Sequence, residues 1–189
     1  MTTEEIKKFI QGGEWVSITP EVRPSIIKDA NGNMKPFYCT RSFIYSSEDR
    51  FQLTFINYAD PFAKIPLVKM EIKGHVFFGN EHPIANAAYN ADYVADESFV
   101  VTPMHQGFAD AVNQFPVNGL NKWEVNVAQN VSGKTFPIFG LKAGELYKEY
   151  DLVYIYNNML FNGSRNVDGR GFDTPENRPT NLQIPLARK

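Results

Sequence analysis

Among the residues able to do chemistry, Arg41 has the most informative surroundings. In Cys39-Thr40-Arg41-Ser42-Phe43-Ile44-Tyr45, strand alternation puts Arg41 on one face with Phe43 and Tyr45. If that face is interior, two readings are open. The guanidinium clamps a ligand carboxylate or phosphate in a bidentate pair, or it is neutralised by a protein carboxylate such as Glu21, Asp60 or Glu97. Arg23, between Val22 and Pro24, has the same two readings. Glu97 shares a face with Tyr93 and Phe99, which makes it Arg41's partner or a titratable group in a pocket. As a general acid or base it would need a raised pKa.

Other reactive side chains are less informative. His75, His82 and His105 show neither HxH nor HExxH spacing, and there is no Cys-His cluster, so no metal site is read. His75 and His82 would face each other if Gly79-Asn80 turned a hairpin, and His105 falls in the first turn of an expected helix. Cys39 is the single cysteine. It excludes an internal disulfide and reads as a small buried hydrophobe. No GxSxG, GxGxxG or P-loop occurs. No catalytic residue, metal or cofactor is therefore assigned.

The elements that must position these residues are mostly strands. Phe51, Leu53 and Phe55 alternate with Gln52 and Thr54, and Val68, Met70 and Ile72 with Lys69, Glu71 and Lys73. Residues 91–101 and 122–127 show the same period of two, the mark of half-buried antiparallel strands. Asn31-Gly32, Asn118-Gly119, Asn157-Asn158 and Asn162-Gly163 offer tight turns, and Pro66 marks a strand start. Thr2 or Thr3 caps a short helix carrying Ile6, Phe9 and Ile10 on one stripe. Thr102-Pro103 reads as the N-cap and first residue of a second helix. Residues 164–189, rich in Asn, Asp, Gly, Pro and Arg, read as irregular chain. Eight to ten strands with two helices imply one all-β domain over residues 1–189, an antiparallel lipocalin-like (calycin-type) barrel. An eight-stranded barrel is filled by side chains or holds one small ligand.

Composition bounds the function. The formal charge of −2 gives no field to gather nucleic acid. No apolar run approaches the length of a membrane span. The first residues lack the pattern of a signal peptide, so a cytoplasmic protein is expected unless a leader has been removed. Nothing in the residues sets an oligomeric state. Aromatic residues make up 14% of the chain, enough to line or fill a barrel.

The segments GEWVS (13–17), EVRP (21–24), CTRSF (39–43), NYADPF (57–62), Ile72-Lys73-Gly74 and Ala91-Asp92-Tyr93 occur in that order. Together they resemble the domain of the adenomatosis polyposis coli down-regulated (Wnt-inhibitor) family over about residues 13–113. The resemblance implies an open-mouthed barrel that accommodates lipid. Where family members carry cysteine, this chain has Pro20 and Ala63, and the family's disulfide has no counterpart. The expectation is a binder of an apolar or amphiphilic, fatty-acyl-like molecule. Trp15, Arg41, Phe43, Tyr45, Tyr58, Tyr93, Glu97 and Phe99 are its candidate lining. The alternatives are a cyclase- or isomerase-type enzyme acting on an apolar substrate and a filled-barrel interaction domain.

Overall fold

The computed structural model describes residues 1–189. Helix α1 (Thr3–Ile10) precedes strands β1 (Glu14–Ser17), β2 (Glu21–Arg23), β3 (Phe37–Tyr45), β4 (Arg50–Tyr58), β5 (Pro66–Glu81) and β6 (Tyr89–Pro103). Helix α2 (Gln106–Asn113), β7 (Gln129–Asn130), β8 (Lys148–Tyr156), β9 (Met159–Asn162) and β10 (Leu186–Arg188) follow. The pairings between strands are all antiparallel. The sheet runs β1-β10-β9-β8-β6-β5-β4-β3-β2 and closes because β1 pairs with both β10 and β3. With β2 continuing β1 along β3, the ring is an eight-stranded lipocalin-like barrel.

Strand direction gives the barrel two unlike ends. The short turns at 46–49, 82–88 and 157–158 form the base, and the loops 24–36, 59–65, 104–147 and 163–170 form the mouth. Helix α1 seals the base with its apolar stripe, Ile6 and Ile10 being buried. Its capping box is complete: Thr2 Oγ1 accepts from the Glu5 N–H while Glu5 accepts from the Thr2 N–H. Lys7 ties it to Asp49 at 2.8 Å, and Trp15 Nε1 donates to the Ile10 carbonyl at 2.8 Å. Asn157 and Asn158, with φ of 48° and 60°, make the expected two-residue turn between β8 and β9.

Several local expectations are corrected. Residues 122–127 form no strand. Trp123 is instead fixed by a reciprocal pair with Asn113 (2.8 and 2.9 Å) and packs on Phe136, so its alternation reflects one buried anchor rather than a pleat. Thr102 and Pro103 remain in β6; α2 starts at Gln106, capped by His105, whose Nδ1 accepts from the Gly107 N–H. β5 runs straight through Gly79-Asn80, and His75 bonds Asp96 rather than His82. Asn162-Gly163 is no turn, since Asn162 ends β9 and Gly163 bridges to Leu182. The irregular tail contains β10, the strand that completes the ring.

One glycine fixes the register of the longest hairpin. Between Lys73 and His75 the pairing of β5 with β6 slips, and β6 bulges toward β5. A Cβ on Gly74 would lie 1.9 Å from the Val94 carbonyl oxygen and 2.9 Å from the Asp96 nitrogen, so no side chain fits. Gly74→Ala is expected to destabilise the barrel by about 2–3 kcal/mol, read as a lower urea midpoint. An unchanged midpoint would show that the bulge relaxes freely.

Candidate functional site

Alternation along β3 sends Cys39, Arg41, Phe43 and Tyr45 inward, and the interior near the mouth is therefore charged. Glu21, fully buried, accepts from Arg41 Nε at 2.8 Å on one oxygen and from Arg23 Nη2 at 3.0 Å on the other. Ser17 Oγ donates to it as well, at 2.9 Å. Burial alone would raise the Glu21 pKa, but the two guanidiniums outweigh it and hold the carboxyl below its ordinary value. Arg41, only 5% exposed, also donates from Nη1 to Asn162 Oδ1 at 3.1 Å. Its Nη2 is buried with no partner. Of the two readings of Arg41, the carboxylate pair is the one observed.

Beside this cluster lies a cleft. Phe43, Phe51, Leu53, Ile72 and Ala95 form its apolar wall, and Tyr93, Tyr147, Glu149 and Asp151 its polar edge. Its enclosed space is about 10 Å³, room for one water; counting the part open to solvent it reaches about 300 Å³. Tyr147 and Ala95 also line a second cleft under residues 131–146. This arises because β8 pairs with β6 only as far as Val94. The upper half of β6 is covered instead by β7 and the segment leading to Tyr147. Tyr147 donates its hydroxyl to Glu149 Oε1 at 2.7 Å.

Asp151 is the carboxyl that its setting pushes upward. Burial pushes its carboxyl up to about 7, against the pull of the Leu152 and Gly163 N–H groups, which both donate to Oδ1 at 2.7 Å. Tyr93 and Tyr45 share a hydroxyl–hydroxyl bond of 2.8 Å, and burial raises both pKa values, so they stay neutral. Burial likewise lifts the Cys39 thiol to about 11, which leaves it without thiolate at neutral pH.

The expected lining divides into three groups. Phe43 and Tyr93 face the cleft, with Tyr45 bonded behind Tyr93. Trp15 sits at the base, beneath Arg188 and beside Phe9, and Phe99 stacks on Phe139 at the wall of the second cleft. Tyr58 and Glu97 are corrections. Tyr58 bonds Thr40, a residue of β3's outer face, because it has the even-numbered phase of β4, opposite to Phe51, Leu53 and Phe55, and pairs in register with Tyr38. Glu97 lies in the β6 bulge, 38% exposed and paired with Arg50 at 3.1 Å, so it meets neither Arg41 nor the interior. Asp151, Glu149, Tyr147 and Asn162 were not singled out in the sequence. A signal existed for two of them: Glu149 and Asp151 share the odd-numbered face of β8 with Val153 and Ile155, which puts carboxylates on an apolar face.

Fold and site together define a closed antiparallel barrel with a polar edge inside its mouth. The chain matches no protein-family model. No helix is long and apolar enough to cross a membrane.

The two buried acids should give stability opposite pH slopes. Glu21's contribution is present above its ordinary value of 4.5 and is lost as pH falls. Asp151's is present below 3.8 and is lost as pH rises to about 7. Asp151→Asn should therefore flatten the decline in Tm between those limits, and an unaltered profile would remove Asp151 as its source. Glu21→Gln leaves two buried guanidiniums unneutralised and should cost about 3–5 kcal/mol at neutral pH, measured by urea unfolding.

Proposed function

We propose that the protein binds a compact apolar or amphiphilic small molecule in the barrel cleft. The observation carrying this reading is the juxtaposition of a five-residue apolar wall with the Tyr93, Tyr147, Glu149 and Asp151 edge, the lining of a small-ligand site. The resemblance to a lipid-holding family supports the apolar character. The cleft as it stands admits one water, so an occupant requires Tyr147 to swing aside, joining the two clefts that it separates. Arg41 is neutralised by Glu21 and its unpartnered Nη2 is not part of the cleft lining, whose polar groups are acceptors and hydroxyls. A hydroxyl or amine head therefore suits the site better than a carboxylate.

A second reading, acid–base catalysis on such a molecule, is favoured by one observation. Asp151, with its carboxyl near 7, could exchange a proton at neutral pH, and it lies on the cleft beside Tyr93.

The test is calorimetry with a medium-chain alcohol, amine and carboxylic acid of equal length, together with native mass spectrometry of the purified protein. Alcohol or amine should bind at least tenfold tighter than the acid. Preference for the acid would return the anchoring role to Arg41, and no binding by any of them would favour a filled barrel. In the catalytic reading, Asp151→Asn keeps the ligand bound but stops its conversion, read from the mass of the extracted molecule.

A further inference from the structure

The barrel's two ends differ in what they show to solvent. None of the base turns, 46–49, 82–88 and 157–158, carries an exposed large apolar side chain, the exposed rings near the base, Phe77 and Tyr156, lying on strands. Three mouth loops that follow one another around the rim do: Ile26 is 72% exposed, Phe62 73% and Val167 81%. Loops 24–36 and 163–170 pack directly together, since a Cβ on Gly169 would lie 2.5 Å from the Ser25 carbonyl carbon. Loop 59–65 adjoins them across the Tyr38–Tyr58 pairing.

These tips are held by design of the chain rather than left loose. Asp60 accepts from the N–H groups of Phe62, Lys64 and Ile65 at 2.8–3.0 Å. That turn fixes Phe62 outward, with Lys64 over its ring. Asp29 accepts from the Asn31 and Asn33 N–H groups, and Asp168 from that of Arg170. The three carboxylates of these loops are thus bonded to their own turns. Lys28, Lys35 and Lys64 form no ion pair. Arg170 pairs with Asp168, which leaves these three lysines as the free positive charge of the tips, in a chain whose formal charge is −2.

We infer that the mouth docks on an anionic lipid bilayer, Ile26, Phe62 and Val167 entering the interface while the neighbouring lysines meet the headgroups. Separate apolar side chains on hydrogen-bonded turns, Phe62 with a lysine over its ring, suit insertion between lipids. Each lysine near an anionic surface adds attraction that salt screens. The inference is independent of what the cleft holds.

The test is co-sedimentation of the full chain with phosphatidylcholine vesicles, with and without phosphatidylserine. The wild type should bind the phosphatidylserine vesicles at least tenfold better, and salt should weaken it. The triple variant Ile26→Ser/Phe62→Ser/Val167→Ser should lose binding at least tenfold while keeping its Tm. Phe77→Ser, which removes an exposed phenyl of β5 away from these loops, should leave binding unchanged. No wild-type binding, equal loss in Phe77→Ser, or self-association through these tips without vesicle binding would overturn the proposal. Ligand capture by the cleft, measured in vesicle-free solution, should be untouched by the triple variant, so the two readings fail separately.

Discussion

A carboxylate removed from water must be answered by positive charge, and in this barrel Glu21 imposes that condition on everything around it. Its two oxygens take Arg41 and Arg23, which lie on β3 and at the end of β2. The bonds therefore lock the seam where β2 continues β1. Arg41 carries the link on to Asn162 in β9, and Asn162 donates to the Leu152 carbonyl in β8. A single buried acid thus connects strands on both sides of the ring. A network of this kind contributes less through its own energy than through the cost of any arrangement that leaves one member alone.

The same condition explains why the interior is not a simple greasy cavity. Below the charged layer, Phe43, Phe51 and Tyr93 pack ring against ring, with centroids 5.0–5.8 Å apart. Farther down, Ile6, Ile10 and Trp15 complete the floor. What space remains lies where β6 parts from β8. There the wall is a loop segment rather than a strand, and the carboxyls of Glu149 and Asp151 look inward. Position in the barrel, not residue type, separates Asp151 near 7 from Glu21 held low. One has backbone N–H groups for partners, the other guanidiniums.

Legibility in the sequence followed the range of the interactions. Features set by neighbouring residues could be read: the Thr2 cap, the Asn157-Asn158 turn, and the alternation of β3, β4 and β5. So could the all-β barrel that these add up to. Features set by distant partners could not. Leu186–Arg188 has no strand pattern of its own and is a strand because β1 and β9 flank it. Glu97 obeys the odd-numbered phase of β6 on paper but leaves the interior because Gly74 opposite allows a bulge. Trp123 alternates with its neighbours yet answers to Asn113. Arg41's partner was among those considered because only a few carboxylates could reach an inward residue of β3. Asp151's raised pKa depends on burial among strands far apart in the chain.

The closure of the ring has a consequence for how the molecule comes into being. β1 is made long before β10, yet each is the other's neighbour. During synthesis, the early strands can pair into a meander, but β1 and β9 keep open edges until Leu186–Arg188 has left the ribosome. Such a non-local contact forms slowly. Until it does, the nascent chain presents two strand edges able to pair with other chains. A stall or cleavage just before β10 would leave most of the core in place while turning a closed surface into an adhesive one.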